Sequence, residues 1–363
     1  MRILHIHPSL SSGGIEAMIC NLANEMVERN DVTVCSIYQF NDNDVFRFKL
    51  NTNVHVTSLH KQKPGMNIKI LWQIYGYIKK GHFDIVHIHG FFYYYFIAIL
   101  LLHKKCQFFY TIHSDASMEN SNWDIKLINL KKYFFKFNWM HPITISKASQ
   151  KTFFKLYKCK STLIYNGTVN PSFQVVDLSK YKITSETKIL FHPGRISLAK
   201  NQVMLCETCL RLINEGYDFV LLIAGSKQET QIFSKLSTFF SNRIIYLGER
   251  NDVIGIMASS DAFCLSSLWE GMPVTLLEAL SVGCIPICTP VGGIPEVIDD
   301  GFSGFLSISS NADDYYVALK KYLDTPETDL QKIKQNVHLK FKSFDVSQTA
   351  LVYEKEYLKQ LKN

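Results

Sequence analysis

Short apolar runs alternate with segments of helical periodicity along the chain, in two successive series. The runs predicted to be strands in the first series are Arg2–His7, Val32–Tyr38, Val54–Leu59, Asp84–His89, Gln107–Ile112, Pro142–Ser146 and Thr162–Tyr165. Those of the second series are Lys188–His192, Phe219–Ala224, Ile244–Leu247, Ala262–Leu265 and Ile285–Cys288. Helices are predicted at 15–29, 67–80, 92–104, 124–138, 147–157, 200–215, 228–239, 252–258, 273–282, 294–299 and within 312–362. Because strands that alternate with helices form βαβ units, we predict an α/β protein with two doubly wound parallel sheets.

The two series are separated by a stretch of little periodicity, 167–187, which we interpret as the linker. The length of 363 residues also favours two domains, at roughly 150 residues each. We therefore predict an N-terminal domain over 1–168 and a C-terminal domain over 169–345. The remaining segment, 346–363, is predicted to be a helix that packs back on the N-terminal domain.

The composition excludes a disordered chain and an integral membrane protein. Hydrophobic residues make up 47% and charged residues 20%, as in a packed globular protein. The longest apolar run, Phe91–Leu102, is shorter than the roughly 20 residues that span a bilayer. The N-terminus does not resemble a signal peptide, and the nine cysteines form no disulfide framework. These features predict a cytoplasmic protein.

The charge is distributed unevenly along the chain. Residues 1–170 contain 20 Lys and Arg against 10 Asp and Glu, whereas the remainder contains 19 against 22. This asymmetry predicts that the first half meets something anionic, the alternative being a solvated basic surface. No motif for nucleic-acid recognition accompanies the charge, so we do not expect a nucleic-acid partner.

Two aromatic-rich segments lie in this basic half, Phe91–Leu102 and Asp124–Asn138. The second contains Lys131, Lys132 and Lys136. One interpretation is that both segments are helices buried against the sheet. The other is that part of this surface lies on an anionic membrane, at the inner face of the plasma membrane, with the lysines near lipid phosphates.

Candidate binding residues follow the predicted strands, because ligands of open parallel sheets bind beyond the carboxyl ends of the strands. The first strand is followed by Gly13 and Gly14 at the start of a helix, where backbone amides can approach an anion. A loose turn between strand and helix is the alternative. After Lys188–His192 come Gly194, Arg195 and, five residues later, Lys200. A guanidinium fork and an ammonium at one sheet edge suit a diphosphate, the alternative being a solvated basic loop.

A second candidate loop follows Ala262–Leu265 and contains Glu270, Gly271 and Pro273 before a helix that carries Glu278. Proline fits the first turn of a helix, whose amides can bind phosphate or sugar oxygens. Two carboxylates that accept hydrogen bonds from hydroxyl pairs suit the ribose and the hexose of a nucleotide sugar.

Histidines and cysteines provide weaker candidates. His5 with His7, and His87 with His89, each place two imidazoles on one face of a strand, so a four-histidine metal site is conceivable. We favour the alternative in which His7 and His89 contact an acceptor at the strand ends, and predict no metal. Cys206-x-x-Cys209 lies inside a predicted helix and is interpreted as ordinary packing.

The ordered set of motifs resembles the retaining GT-B glycosyltransferases of glycosyltransferase family 4 over nearly the whole chain. The matching segments are Gly13-Gly14-Ile-Glu16, Asp84–His89, Thr111–His113, Ile145-Ser146, Ile164–Gly167, Gly194–Asn201, Leu247-Gly248 with Asp252-Val253, Glu270–Glu278 and Gly292–Glu296. The resemblance implies two Rossmann-like domains that face a central cleft, with the acceptor bound by the first and a nucleotide-diphosphate sugar by the second.

The resemblance also assigns roles to individual residues. Those matching Arg195 and Lys200 bind the donor diphosphate, and the one matching Glu278 binds the ribose. Glu270 then faces the transferred sugar, and His113 approaches it from the N-terminal domain. We therefore expect Glu270, His113, Arg195 and Lys200 to be catalytic.

Further donor-binding residues are implied in the same way: Gly14, Gly194, Gly248, Arg250, Gly271, Met272, Pro273 and Val274. Met272-Pro273 stands where many members have Phe-Gly, a difference that bears on donor identity. The implied reaction retains the anomeric configuration and requires no cofactor. It uses a nucleotide sugar, with UDP as the expected nucleotide, and a glycan or lipid-diphosphate-linked acceptor. A nucleotide-sugar epimerase, a sugar phosphorylase or a non-catalytic donor-binding subunit are alternatives with the same architecture.

Overall fold

The computed structural model describes residues 1–362 apart from Ser12, Pro64, Met66 and Ser121, and apart from the side chain of Trp123. The chain forms two compact units. Unit 1 comprises Met1–Gly167 together with the segment from Val346 onward, and unit 2 comprises Thr168–Asp345. The units divide after residue 167, where the sequence predicted a division after residue 168. Ser12 of the glycine-rich loop and Asn363 of the terminal segment lie outside the described residues.

Unit 1 is built on a parallel sheet of seven strands in the order β3-β2-β1-β4-β5-β6-β7. The strands are β1 (Arg2–His7), β2 (Asp31–Tyr38), β3 (His55–Lys61), β4 (Ile85–His89), β5 (Gln107–Ile112), β6 (His141–Thr144) and β7 (Thr162–Leu163). Its helices are α1 (Gly14–Met26), α2 (Ile68–Gly81), α3 (Phe96–Leu102), α4 (Asn122–Lys126), α5 (Ile128–Lys136) and α6 (Lys147–Tyr157). The direction of winding reverses between β1 and β4, and the register pairs His5 with His87 there.

Unit 2 repeats this plan with six parallel strands in the order β10-β9-β8-β11-β12-β13. The strands are β8 (Lys188–Pro193), β9 (Phe219–Ala224), β10 (Ile244–Tyr246), β11 (Ala262–Leu265), β12 (Ile285–Cys288) and β13 (Phe305–Leu306). Its helices are α7 (Gln202–Asn214), α8 (Thr230–Ser237), α9 (Val253–Ala258), α10 (Val274–Ser281), α11 (Ile294–Val297), α12 (Ala312–Asp324) and α13 (Glu327–Phe341). The prediction of two doubly wound parallel sheets is therefore confirmed.

The last helix, α14 (Val346–Leu361), belongs to unit 1. The carboxylate of Glu354 on α14 accepts hydrogen bonds from Arg29 Nε at 3.1 Å and Asn30 Nδ2 at 2.7 Å, just beyond α1. Tyr357 of the same helix is buried beside His87. The segment after residue 345 thus completes the core of the N-terminal unit.

Two predicted helices are broken in the structure. Residues 92–104 form a 3-10 turn, Phe92–Tyr94, before α3, and residues 124–138 form α4 and α5. The backbone N–H of Tyr93, in the turn before α3, donates to Asp124 Oδ1 on α4 at 2.8 Å, which joins the two segments. The hydrophobic periodicity of a sequence does not reveal a hydrogen bond of this kind to a side chain. The two-residue strand β13 was not predicted because Phe305 and Leu306 stand alone between Gly304 and Ser307, whereas the equally short β7 lies in the longer apolar run Thr162–Tyr165.

The aromatic-rich segments are partly core and partly surface. Phe92, Tyr94 and Tyr95 are fully buried, as the interpretation of helices packed on the sheet expects. On α5, Tyr133 is 44% exposed, as is Phe137 just beyond it at 51%. No helix in the described part of the chain is both long and apolar enough to cross a bilayer.

Lys131 does not belong to the surface, and the expectation that it meets lipid phosphates is wrong. Its side chain is 1% exposed, and Nζ donates to Tyr110 Oη at 3.2 Å and to Asn120 Oδ1 at 3.3 Å. Burial lowers the pKa of Lys131, against the nearby carboxylates of Asp124 and Glu119 that raise it. The spacing of lysines in the sequence does not distinguish this inward position from its neighbours.

The cysteines are packing residues in this structure. All nine are free thiols, and eight of them are buried. Cys206 and Cys209 lie on α7 with no exposed surface. Burial raises the pKa of Cys206 to about 12, so its reactive thiolate is suppressed at neutral pH.

Candidate active site

The loops at the carboxyl ends of β8 and β11 lie next to each other in unit 2, at the point where the winding of the sheet reverses. Leu268 N–H donates to the Ala199 carbonyl at 2.8 Å, and Ser266 Oγ donates to the Lys200 carbonyl at 2.9 Å. On the other side, Gly194 N–H donates to the Ala224 carbonyl at 2.8 Å. These backbone ties join the loops predicted to hold the diphosphate and the sugar into one assembly.

Two glycines are required by the close approach of these loops. A Cβ atom at Gly225 would overlap the Gly194 carbonyl, and one at Gly292 would overlap the Glu270 carbonyl. Gly292 has a φ of 58°, in the region that favours glycine. Gly293 N–H donates to the Gly271 carbonyl at 2.6 Å. The backbone that carries Glu270 is thus fixed by its neighbour after β12.

Lys200 and Glu270 form an ion pair at the centre of this assembly. Lys200 Nζ lies 2.6 Å from Glu270 Oε1, and the two side chains are only 18% and 12% exposed. Ser267 Oγ donates to the same carboxylate oxygen at 2.6 Å. A charge-assisted pair that is largely shielded from water has a strong geometric preference. The structure therefore brings two predicted catalytic residues together and adds Ser267, which sequence reasoning missed although it lies three residues before Glu270.

Arg195 lies on the same loop as Gly194 but points outward. Its side chain is exposed and has no hydrogen-bond or ion-pair partner among the residues that the structure describes. Its backbone is held in place, since Gln202 Nε2 donates to the Arg195 carbonyl at 2.9 Å. The guanidinium is thus available to an anion that approaches this edge.

The helix predicted after the Glu270 loop is α10, which begins at Val274. Pro273 precedes the helix with a ψ of 120°, so it lies one position earlier than the sequence predicted. Met272, Pro273 and Val274 are buried, and Glu278 is half-buried one turn into the helix. The free amides at the start of a helix attract negative charge, and here they lie directly after Glu270 and Gly271.

Gly248 and Arg250 lie in the loop after β10. Gly248 has a φ of 75°, and its carbonyl accepts the N–H of Gly225 at 2.9 Å, so this loop joins the same edge of the sheet. The guanidinium of Arg250 is paired with Asp252 through two hydrogen bonds, of 2.8 and 2.5 Å. The structure thus gives Arg250 a partner on its own loop, in contrast to Arg195.

His192, at the end of β8, is a further polar group that sequence reasoning did not single out. Nδ1 lies 2.8 Å from the Cys264 carbonyl, which identifies it as the protonated nitrogen, and Nε2 is buried without a hydrogen-bond partner among the described residues. Burial, together with the charge of Lys200, lowers the pKa of His192 to about 4, against the hydrogen bond to the Cys264 carbonyl that raises it. A neutral imidazole therefore lies beneath the Gly194 loop.

In unit 1 the histidines gather at the carboxyl ends of β1, β4 and β5. His5 Nδ1 lies 3.2 Å from His89 Nε2, and His89 Nδ1 lies 3.0 Å from His113 Nε2. His87 instead contacts Thr111 Oγ1 at 2.7 Å and the Tyr357 hydroxyl. The structure thus links His113, the predicted catalytic histidine, to the strand histidines of the sequence motif.

These imidazoles are neutral at pH 7. Burial lowers the pKa of His5 to about 4, that of His113 to about 3 and that of His89 well below its ordinary value. Ring nitrogens of His5, His87 and His89 lie within 4.8 Å of one another, a spacing from which a metal ion can be bound. Most of these nitrogens are already used in hydrogen bonds, so a metal would have to replace the interactions seen here.

Glu119 fixes the loop that carries His113. Its carboxylate accepts the backbone N–H of Ser114 at 2.8 Å and also that of His113. Burial raises the pKa of Glu119, while the nearby charge of Lys131 lowers it. Sequence reasoning missed this residue because a glutamate six positions after the histidine follows no helix or strand spacing.

The glycine-rich loop after β1 places Gly14 as the first residue of α1, with Gly13 as its extended cap. A Cβ atom at Gly13 would overlap the carboxylate of Glu16, so that acidic group lies against the loop. His7, at the end of β1, is held by a 2.8 Å contact between Nδ1 and the Ser9 carbonyl. The free backbone amides at the start of α1 therefore lie close to the carboxylate of Glu16.

Comparison with known proteins identifies both units. Residues 12–169 match the family model Glycosyltransferase Family 4, and residues 176–338 match the model Glycosyl transferases group 1. The chain is 28% identical over 276 residues to UDP-Gal:alpha-D-GlcNAc-diphosphoundecaprenol alpha-1,3-galactosyltransferase of Escherichia coli, with 71% of each chain covered.

Two further comparisons extend over the full length. The chain is 24% identical over 364 residues to an alpha-1,4-N-acetyl-D-galactosaminyltransferase of Campylobacter jejuni, with 96% of this chain and 95% of the relative covered. That relative is named for a substrate that carries a PP-undecaprenol group. The crystal structure of HepE from Anabaena in complex with UDP and glucose has a TM-score of 0.76 at 18% identity, covering 99% of this chain and 100% of that one. The two family models and the shared GT-B fold show that the chain belongs to the glycosyltransferases of family 4.

Proposed function

We propose that this protein transfers a sugar from a UDP-sugar to a hydroxyl group of a lipid-diphosphate-linked glycan, with retention of configuration, in the synthesis of a cell-surface polysaccharide. The observation that carries the proposal is the Lys200–Glu270 pair beside the exposed Arg195, at the carboxyl edge of the sheet of unit 2. These are the groups that a sugar joined to a diphosphate requires: cations for the phosphates and a carboxylate for the hydroxyls.

The cations act on the leaving group. Arg195 offers two parallel N–H donors to phosphate oxygens, and Lys200 offers a point charge. The amides at the start of α10 add a partial positive charge. Together they stabilise the negative charge that develops on the departing diphosphate, so the proposal includes no required metal ion.

The two carboxylates have separate tasks. Glu278, half-buried on α10, accepts hydrogen bonds from the ribose hydroxyls. Glu270 faces the transferred sugar and also holds Lys200 at 2.6 Å. When the donor binds, a phosphate oxygen shares the Lys200 ammonium, which Glu270 and Ser267 have already placed. Pre-organisation of this kind lowers the cost of reorganising charge during the reaction.

We propose a front-face displacement. The acceptor oxygen bonds to the anomeric carbon on the side from which the diphosphate leaves, and the bond from that carbon to the phosphate oxygen breaks. The proton of the acceptor hydroxyl passes to the departing phosphate oxygen. The sequence motifs supply no nucleophilic side chain for a covalent intermediate, and the galactosyltransferase relative is named for an alpha linkage made from UDP-Gal.

The acceptor is assigned to unit 1 and to a membrane surface. Both relatives are named for acceptors that carry undecaprenol through a diphosphate. Tyr133 and Phe137 are exposed aromatic groups whose ring centres are 4.4 Å apart. Lys132 and Lys136 flank them on α5, so this face combines apolar insertion with cationic charge.

The test has a binding step and a transfer step. A panel of nucleoside diphosphates is screened by thermal shift, and UDP is expected to give the largest stabilisation through mass action. Transfer is then measured with labelled UDP-sugars and an undecaprenyl-diphosphate-linked sugar, and the linkage is read by NMR. An inverted product would contradict retention. Conversion of the donor sugar without an acceptor would indicate an epimerase, and binding without turnover a non-catalytic subunit.

A further inference from the structure

Three histidines form a hydrogen-bonded chain that leads from the core of unit 1 to its surface. His5 contacts His89 at 3.2 Å, and His89 contacts His113 at 3.0 Å. His5 and His89 are fully buried, whereas His113 is 9% exposed. The nitrogen of His113 that does not face His89 is Nδ1, so this atom is the outer end of the chain.

The number of protons allows only two arrangements. A neutral imidazole carries one proton, so one nitrogen donates and the other accepts. Both nitrogens of His89 are engaged, which means that it donates to one neighbour and accepts from the other. The three rings therefore carry their protons either all on Nδ1 or all on Nε2. In the first arrangement His113 presents an N–H group at the surface, and in the second it presents a bare nitrogen.

The buried end of the chain decides between the two. His5 Nε2 is buried without a hydrogen-bond partner in the described structure. With all protons on Nε2, this atom would be a buried N–H without an acceptor. With all protons on Nδ1, it is only an unused lone pair. Unpaired buried N–H groups are the rarer defect, and leaving a buried polar group unpaired costs about 1–3 kcal/mol. The Nδ1–H arrangement is therefore favoured.

The surroundings keep the three histidines neutral and hold His113 in place. Burial holds the pKa of all three rings far below 7, and the neighbouring His7 and His87 add to this effect where they are charged. In the described structure the carboxylate of Glu119 accepts hydrogen bonds from the backbone N–H groups of the His113 loop and not from the ring. The imidazole is thus oriented from two sides: its ring by His89 and its backbone by Glu119.

We propose that His5 and His89 are positioning residues that hold His113 as its Nδ1–H tautomer, so that it donates a neutral hydrogen bond to an uncharged oxygen of the transferred sugar. Which nitrogen of a histidine carries the proton is set by the hydrogen bond that the other nitrogen makes. The contact with the sugar rests on the proposed function, whereas the tautomer is a property of the protein without substrate.

The tautomer is measured on the ligand-free, full-length protein labelled with ¹⁵N-histidine. Two-bond proton–nitrogen correlation at neutral pH separates a protonated nitrogen from a bare one, and the loss of signals in His113→Asn assigns the ring. We expect a proton on Nδ1 of His113. An unconstrained histidine prefers Nε2–H, so the expected result is opposite to the default. Nε2–H in the wild-type protein would overturn the proposal.

Variants of His89 separate positioning from simple structural support. His89→Phe removes the group that donates to His113 Nε2, so it is expected to lower the Nδ1–H fraction of His113 and to lower kcat roughly tenfold, without changing the affinity for UDP. His89→Gln, whose amide donates at one end and accepts at the other, is expected to keep Nδ1–H and to recover most of kcat. The matched control is His87→Gln. His87 is a buried histidine of the same strand that does not take part in the His5–His89–His113 contacts, so this variant should leave the tautomer of His113 unchanged.

Three other outcomes distinguish the possibilities. Uptake of Zn²⁺ that shifts the nitrogens of His5, His87 and His89 together would replace the chain with a metal site and overturn the proposal. An Nδ1–H fraction in His89→Phe as high as that in the wild-type protein would show that His89 does not set the tautomer. If no sugar is transferred from any donor while the tautomer pattern is as expected, the proposed function fails and the sugar contact with it, but the positioning of His113 stands.

Discussion

The two units have the same plan of winding, yet the edges at which their strands end carry opposite chemistry. In unit 2 the edge is ionic: Arg195 is exposed, and Lys200 is paired with Glu270 at 2.6 Å. In unit 1 the edge consists of imidazoles that burial keeps neutral, such as His89 and His113. The difference fits the two halves of a glycosyl transfer, because a diphosphate requires cations and a sugar hydroxyl requires neutral donors and acceptors. The same fold is adapted by the residues at its strand ends.

The largest expected effect is obtained by removing the cations of the ionic edge. Lys200→Ala and Arg195→Ala should each lower kcat roughly 10²–10³-fold, because each stabilises charge that develops on the diphosphate. Arg250→Ala is the matched control, since its guanidinium is already paired with Asp252, and it should cost far less. Steady-state kinetics at saturating donor measure the effect. Near-normal turnover in both variants would show that the diphosphate is held elsewhere.

A second experiment separates the carboxylates of the ionic edge. Glu278→Ala should weaken UDP binding roughly 10-fold or more, as expected for a lost hydrogen bond to a charged group, with a smaller effect on kcat. Glu270→Gln should lower kcat, and its effect should not add to that of Lys200→Met, because the two side chains form one pair. Isothermal titration and a double-mutant cycle distinguish these outcomes. Fully additive effects would mean that the pair does not act as a unit.

Acid is predicted to destabilise unit 1, which carries the neutral edge, more than unit 2. Six histidines of unit 1 have a lowered pKa: His5, His7, His87, His89, His113 and His141. Above about pH 6.5 they are neutral whether the chain is folded or unfolded. As the pH falls below that value, the histidines of the unfolded chain bind protons, whereas those of the folded unit do not because their pKa is lower. Each such histidine then removes up to about 1.4 kcal/mol of stability per pH unit until its own lowered pKa is reached.

Hydrogen exchange read by mass spectrometry measures this difference strand by strand. We expect protection in β4 to decline with acid more steeply than protection in β11, whose unit has His192 as the one described histidine with a lowered pKa. His89→Phe should flatten the decline in β4. Glu119 acts in the opposite direction, since its raised pKa makes the folded unit bind a proton as the pH falls, so Glu119→Gln is the control. Equal acid sensitivity of both strands would contradict the assignment of buried neutral histidines.

The sequence predicted the fold more completely than the site. Alternating apolar runs identify every strand except β13, because a buried parallel strand produces its own local signal. The glycine, arginine and lysine after β8 were recognisable because phosphate binding uses a local spacing. The contacts of Ser267, Glu119 and the chain from His5 to His113 were not predicted. The histidine contacts join residues that are distant in the sequence and meet only once the sheet has formed. Those of Ser267 and Glu119 are short contacts within loops, which follow no helix or strand spacing.

The burial of Lys131 was likewise not predictable from the sequence. This burial determines which lysines can be substituted to test membrane contact. A triple substitution of Lys131, Lys132 and Lys136 would disrupt the core, because Lys131 is buried beside Tyr110. Lys132→Gln with Lys136→Gln is the suitable variant, since Lys136 is exposed and Lys132 half-buried on α5. The matched control is Lys180→Gln with Lys182→Gln, a pair of exposed lysines in unit 2.

The smallest expected effect belongs to this pair of lysines. A lysine near an anionic membrane contributes about 1 kcal/mol, so the double variant should lose roughly tenfold or more in affinity for anionic vesicles at low salt. Added salt should lower the vesicle affinity of the wild-type protein towards that of the variant, because salt screens the charge of the lysines but does not affect the insertion of Tyr133 and Phe137. Nucleotide binding should be unchanged, since the ionic edge lies in the other unit. Cosedimentation measures the partition. Equal binding by the double variant and the wild type would remove α5 from the membrane contact and leave the comparison of the two edges intact.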